Sequence, residues 1–145
     1  MHAIKKFPQL KIAVAALLVA IPSAWAEQPH YLTIKNDRGG MVVEYAVQAR
    51  EIDRSGRIVR FAGSCLSACT LYLSAARTCV TPEASFGFHL PYGSSSAGNR
   101  TAAAFLYRSY PDWVKDWISD NGGLGRQIKT MTYEYAARHL PSCTA

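Results

Sequence analysis

The stretch Gly63-Ser64-Cys65-Leu66-Ser67-Ala68-Cys69-Thr70 constrains this chain more than any other. It follows an extended apolar run, Ile58 to Ala62, and precedes a helix-compatible run, Leu71 to Ala76. A chain that leaves a strand through a turn of small residues and re-enters as a helix exposes the turn residue. It also sets that residue beside the unpaired N–H groups of the helix start. Ser67 occupies that place. A serine there ordinarily serves as an N-cap; with a base and oxyanion donors beside it, it becomes a nucleophile.

The first 26 residues read as a secretory leader, separate from the fold. Lys5, Lys6 and Lys11 supply a positive start, Ile12 to Ile21 an apolar centre, and Ala24-Trp25-Ala26 a small-x-small cleavage signal. The apolar centre falls short of the ~20 residues of a membrane span. Residues 27–145 are expected to form one domain with one core. The leader carries three lysines and no acid, so the formal charge falls from +6 to +3 once it is removed. That mild balance excludes a nucleic-acid footprint. All four cysteines, 65, 69, 79 and 143, lie beyond the leader. An even count in an exported chain favours disulfides, and spacing alone selects none of the three connectivities. No second short-spaced Cys or His pair accompanies Cys65 and Cys69, so no metal site is expected.

Tyr31 to Lys35 alternates as a strand, and Asn36-Asp37-Arg38-Gly39-Gly40 breaks it with turn chemistry. Val42, Tyr45, Ala46, Ala49 and Ile52 recur at helical spacing, and Ser55-Gly56 stops that helix. Arg57 to Ala62 is a second strand. This order belongs to a parallel α/β layer. Short strands are expected at Arg77–Thr81 and Ser85–Leu90, and a mobile loop at Tyr92–Asn99. A long helix bent near Tyr110-Pro111 should span about Thr101 to Ser119, and a last helix Gln127 to His139. Trp113 and Trp117, four apart, read as core, and Arg50, Arg54, Arg57 and Arg60 as a solvated face.

A serine hydroxyl needs a base, most often imidazole. Of His30, His89 and His139, only His89 ends a strand beside a loop, where catalytic groups commonly stand. Oxyanion donors could come from the backbone at Ala68 and from the Gly39-Gly40 turn. A cysteine nucleophile is the alternative, disfavoured because oxidised thiols cannot attack.

Taken in order, Asn36-x-x-Gly39-Gly40, the helix, the strand ending in Ser67-Ala68, and Phe88-His89-Leu90-Pro91 resemble the ClpP family of serine peptidases, within the ClpP/crotonase superfamily. The resemblance covers about Leu32 to Gly93. It implies a truncated ClpP/crotonase-like α/β fold, a single domain with a mostly parallel sheet flanked by helices. It assigns Ser67 as nucleophile, His89 as general base, and Gly39, Gly40 and Ala68 as the oxyanion hole. The family's acid precedes the final helix, where Asp120 is the first candidate, Asn121 a neutral substitute and Asp116 the weakest of the three. It also returns the final segment beside the strand after the nucleophile helix, which implies Cys79–Cys143 and leaves Cys65–Cys69 as a local bridge stiffening the turn. The expected function is an exported serine hydrolase, a peptidase by family, acting on peptides or small acyl substrates in the periplasm or medium. No cofactor, nucleic acid or ATPase partner is expected, and a homo-oligomer is allowed. Two readings compete with it: a catalytically inactive binding module of the same fold, and an acyl-CoA enzyme, which export would separate from its substrate.

Overall fold

The computed structural model describes residues 30–143. The expected leader, residues 1–26, lies outside the described residues. Five strands form one mixed sheet: β1 (Tyr31–Asp37), β2 (Ile58–Leu66), β3 (Thr78–Val80), β4 (Ser85–Phe88) and β5 (Lys129–Thr132). Four α-helices accompany them: α1 (Val42–Arg54), α2 (Ser96–Ser109), α3 (Asp112–Asp120) and α4 (Tyr133–Ala136). A 3-10 helix, Ser67–Ser74, joins β2 to β3. Among the described residues no helix is long and apolar enough to cross a membrane.

β2 is the axis of the sheet. One edge pairs in parallel with β1 from Ile58 to Cys65, and the other is shared. β3 takes its first half, opposite Val59 to Phe61, and β4 its second half, opposite Ser64 to Leu66. β2 alternates, with one face turned to the core: Val59, Phe61 and Cys65 are fully buried, whereas Ile58, Arg60, Ala62 and Ser64 are half-buried. The β1–β2 register shifts between Ile34 and Asn36. Gly63 sits against that irregularity, so close to the Lys35 carbonyl that no side chain would fit. This close approach brings the end of β1, and the Asp37–Gly40 turn after it, alongside the Ser67 elbow.

The core closes with aromatic pairs. Phe61 meets Phe86 edge-on at 4.9 Å, and Phe88 contacts Tyr110 at 5.5 Å and Trp117 at 5.4 Å. Trp117 is buried, and Trp113 stacks on His139 at 4.8 Å with the rings 7° apart. Both tryptophans serve packing, and His139 is held by that stack. The C-terminal segment returns beside β3: Val80 N–H donates to the Pro141 carbonyl and Cys143 N–H to the Val80 carbonyl, each at 3.0 Å. Disulfides join Cys79 to Cys143 and Cys65 to Cys69.

Three expectations change. The long helix is two helices, since Tyr110 is extended and Pro111 begins the next as its N-cap. Helix α2 starts at Ser96, because the Ser95 hydroxyl accepts from Gly98 N–H at 3.1 Å, so the expected loop is shorter. The expected helix from Gln127 to His139 begins instead as β5. There Ile128, Thr130 and Thr132 alternate with Lys129 and Met131, and Met131 is fully buried opposite Phe86 in an antiparallel pairing. Only Tyr133–Ala136 remains α-helical.

Candidate active site

Leu66 ends β2 in an extended conformation, and Ser67, the first residue of the 3-10 helix, turns to φ 57°. Among the described residues it is the only non-glycine with positive φ. A left-handed non-glycine residue costs of order 1–3 kcal/mol and persists only where its surroundings over-determine it. Three surroundings do so here. The Cys65–Cys69 bridge brackets the turn, with both cysteines fully buried. The Gly39 backbone packs against it so tightly that a Cβ there would lie 2.7 Å from Ser67 Cβ and 2.8 Å from Ala68 N. The third is a buried hydrogen-bond relay.

In that relay, Thr70 Oγ1 donates to the Ser67 carbonyl at 2.6 Å. Its single proton is thereby used, so the 2.6 Å contact with Tyr110 Oη must be donated by the phenol. Burial pushes the Tyr110 phenol up to about 12, and it keeps its proton throughout the neutral range. The Ser67 carbonyl and the Ala68 N–H share one trans peptide and point in opposite directions. Fixing the carbonyl on Thr70, which is fully buried, therefore turns the Ala68 N–H the other way. That N–H lies in the first turn of the 3-10 helix and has no main-chain acceptor among the described residues.

The loop facing Ser67 is clamped by Asp37. Its Oδ1 accepts from Gly39 N–H at 2.8 Å and from Tyr45 Oη at 2.6 Å. Burial, and then the hydrogen bond to Asp37, hold the Tyr45 phenol above its usual range. Gly39 N–H is thus committed within the loop. Gly40 N–H has no protein acceptor among the described residues, so Gly40 and Ala68 are two free main-chain donors on either side of Ser67, alongside those at the uncapped start of α1.

Ser67, His89, Gly39, Gly40 and Tyr92 line one cleft of about 670 Å³. His89 is 8% exposed, and its ring sits 5.5 Å from that of Tyr92. Its Nδ1 is 2.7 Å from the Leu90 carbonyl. A carbonyl only accepts, so Nδ1 carries the proton in the neutral ring and the Nε2 lone pair is free. Among the described residues no hydrogen bond joins Ser67 Oγ to His89. Among the described residues no hydrogen bond or ion pair joins any of the three acid candidates to the imidazole. Asp116 and Asp120 are exposed on α3, and the Asn121 amide donates to the Trp117 carbonyl at 2.8 Å. The nitrogen that such a group would orient is already served by Leu90.

Sequence reasoning missed Asp37, Thr70 and Tyr110. An Asp two residues before a turn glycine is a local signal for the first. The Thr70–Tyr110 contact spans 40 residues and has no local signal. Two predictions follow from this geometry. Thr70→Val, which leaves the Ser67 carbonyl and the Tyr110 phenol unpaired, should cost about 1–3 kcal/mol. Gly39→Ala, whose methyl would meet the Leu66 carbonyl, Ser67 Cβ and Ala68 N at a φ of 78°, should cost about as much again. Urea denaturation reads both. Compared with known proteins, the chain matches no family model and no curated sequence.

Proposed function

We propose that this chain is an exported serine hydrolase of ClpP-like fold, in which Ser67 is the nucleophile and His89 the general base. One observation carries the reading: the only left-handed non-glycine residue described is a serine at a strand-to-helix elbow, on a cleft that a histidine also lines. In the proposed reaction His89 Nε2 takes the hydroxyl proton as Ser67 Oγ attacks the carbonyl carbon of an ester or amide. Gly40 N–H and Ala68 N–H hold the oxyanion. The tetrahedral adduct collapses, the bond to the leaving group breaks, and the imidazolium proton passes to that group. Water, deprotonated by the same Nε2, then releases the carboxylic acid and restores Ser67.

The Leu90 carbonyl holds the imidazole tautomer in this scheme but carries no full charge to balance the imidazolium. Loss of the acid in a triad costs about ten-thousandfold, so turnover is slow. Activated esters react faster than amides, whose leaving group needs that proton more. The enzyme works in the periplasm or medium without an ATP-driven partner. A fluorophosphonate probe offered to the oxidised, leader-free protein is expected to label it, with Ser67→Ala unlabelled. Equal labelling of the two, or none of either at any pH, favours the second reading, a non-catalytic binding module. Behind that alternative stands the Leu90 carbonyl on His89 Nδ1, with no carboxylate paired to the ring among the described residues.

A further inference from the structure

The cleft continues into an apolar groove of about 490 Å³ between α1 and α2. Val42, Val43, Gly98 and Ala102 line both, so the two are one continuous depression. Beyond the junction the walls are Ala46 and Val47 on one side and Phe105 on the other, with Arg50 further along α1. Val43 and Val47 are 60% and 61% exposed, which leaves a stripe of large apolar side chains facing this groove uncovered. We infer that the groove is the acyl-chain subsite of the Ser67 cleft, taking the straight aliphatic tail of an ester substrate. The inference rests on the reading of Ser67 as nucleophile.

The chemistry of the walls selects hydrocarbon over peptide. Past the first turn of α1, the main-chain groups beside the groove are paired within the two helices. Gly98 N–H is held by Ser95 Oγ at 3.1 Å. Thr101 is then the only neutral hydrogen-bonding side chain on the walls, and Arg50 the only charge. An extended peptide laid there would bury its own N–H and C=O groups without partners, at about 1–3 kcal/mol each. A methylene chain has none to bury. Seven helical steps separate Val43 from Arg50, roughly 10 Å at 1.5 Å per residue, which is the reach of a medium-chain acyl group. At the junction Gly98 presents no side chain to block the passage. With the carbonyl at Ser67, the tail lies along Val43 and Val47. Hydrolysis consumes one water and releases the fatty acid and the alcohol, with Ser67 acylated in between.

The test is the hydrolysis of p-nitrophenyl acetate and p-nitrophenyl octanoate by the oxidised protein, corrected by Ser67→Ala. Each fully buried methylene contributes roughly fourfold, so octanoate is expected to exceed acetate in kcat/KM by at least a hundredfold. Val47→Asp should collapse that ratio at least tenfold. As a readout free of catalysis, octanoate should bind to Ser67→Ala and bind at least tenfold more weakly once Val47→Asp is added. Acetate hydrolysis with no preference for octanoate, or a ratio that Val47→Asp does not move, overturns the groove assignment and leaves Ser67 standing. Faster cleavage of an apolar peptide amide than of the octanoate ester overturns the choice of occupant. No Ser67-dependent hydrolysis of either ester overturns the nucleophile and the inference together.

Discussion

Removing the Cys79–Cys143 bridge through paired Cys79→Ala and Cys143→Ala substitutions is expected to lower the unfolding free energy by about 4 kcal/mol. The bridge spans 64 residues, and a cross-link over so long a loop removes much of the freedom of the unfolded chain. It also holds the segment whose Pro141 carbonyl and Cys143 N–H pair with Val80. Without it that segment can leave, and β3 becomes an unprotected edge. The four-residue Cys65–Cys69 loop predicts only about 2 kcal/mol on the same argument. Against a typical stability of about 5–15 kcal/mol, the first loss is large. Urea denaturation of the two double variants measures both. Equal losses, or a larger loss at Cys65–Cys69, would show that the short bridge does more than stiffen a turn.

Ser67→Ala and His89→Ala should each lower kcat/KM for an activated ester by about a thousandfold. The two side chains act on one proton, so the double variant should be scarcely slower than either single one. What remains would come from Gly40 N–H and Ala68 N–H, which neither substitution touches. Independent, multiplicative losses would mean that serine and histidine do not form a unit. A His89→Ala variant with full activity would remove the base from the scheme.

The first half of the fold was legible because its signals are local. Strand alternation, the helical recurrence ending at Ile52 and the small-residue elbow at Ser67 each stand within a few residues of what they determine. The second half is set by distant partners. Lys129–Thr132 alternates over too few residues to outweigh the helix-compatible ones after it; pairing with β4, where Met131 faces Phe86, makes it a strand. The site divides in the same way. Ser67, His89, Gly39 and Gly40, each singled out by a local motif, line one cleft, whereas the Tyr110–Thr70 relay depends on a packing contact that no motif carries. The resemblance implies an acid near Asp120 as the imidazole's orienting group, but the Leu90 carbonyl occupies that nitrogen. A backbone carbonyl leaves no mark in a sequence.

The central claim is that Ser67, His89 and the two main-chain donors work on one substrate carbonyl. The crystal structure of the protein after reaction with a phosphonylating probe tests it most directly. Phosphorus is expected on Ser67 Oγ, with the phosphonyl oxygen within about 3 Å of both Gly40 N and Ala68 N and the His89 ring beside the ester oxygen. An adduct on another residue, or a phosphonyl oxygen turned to solvent away from both donors, would contradict it.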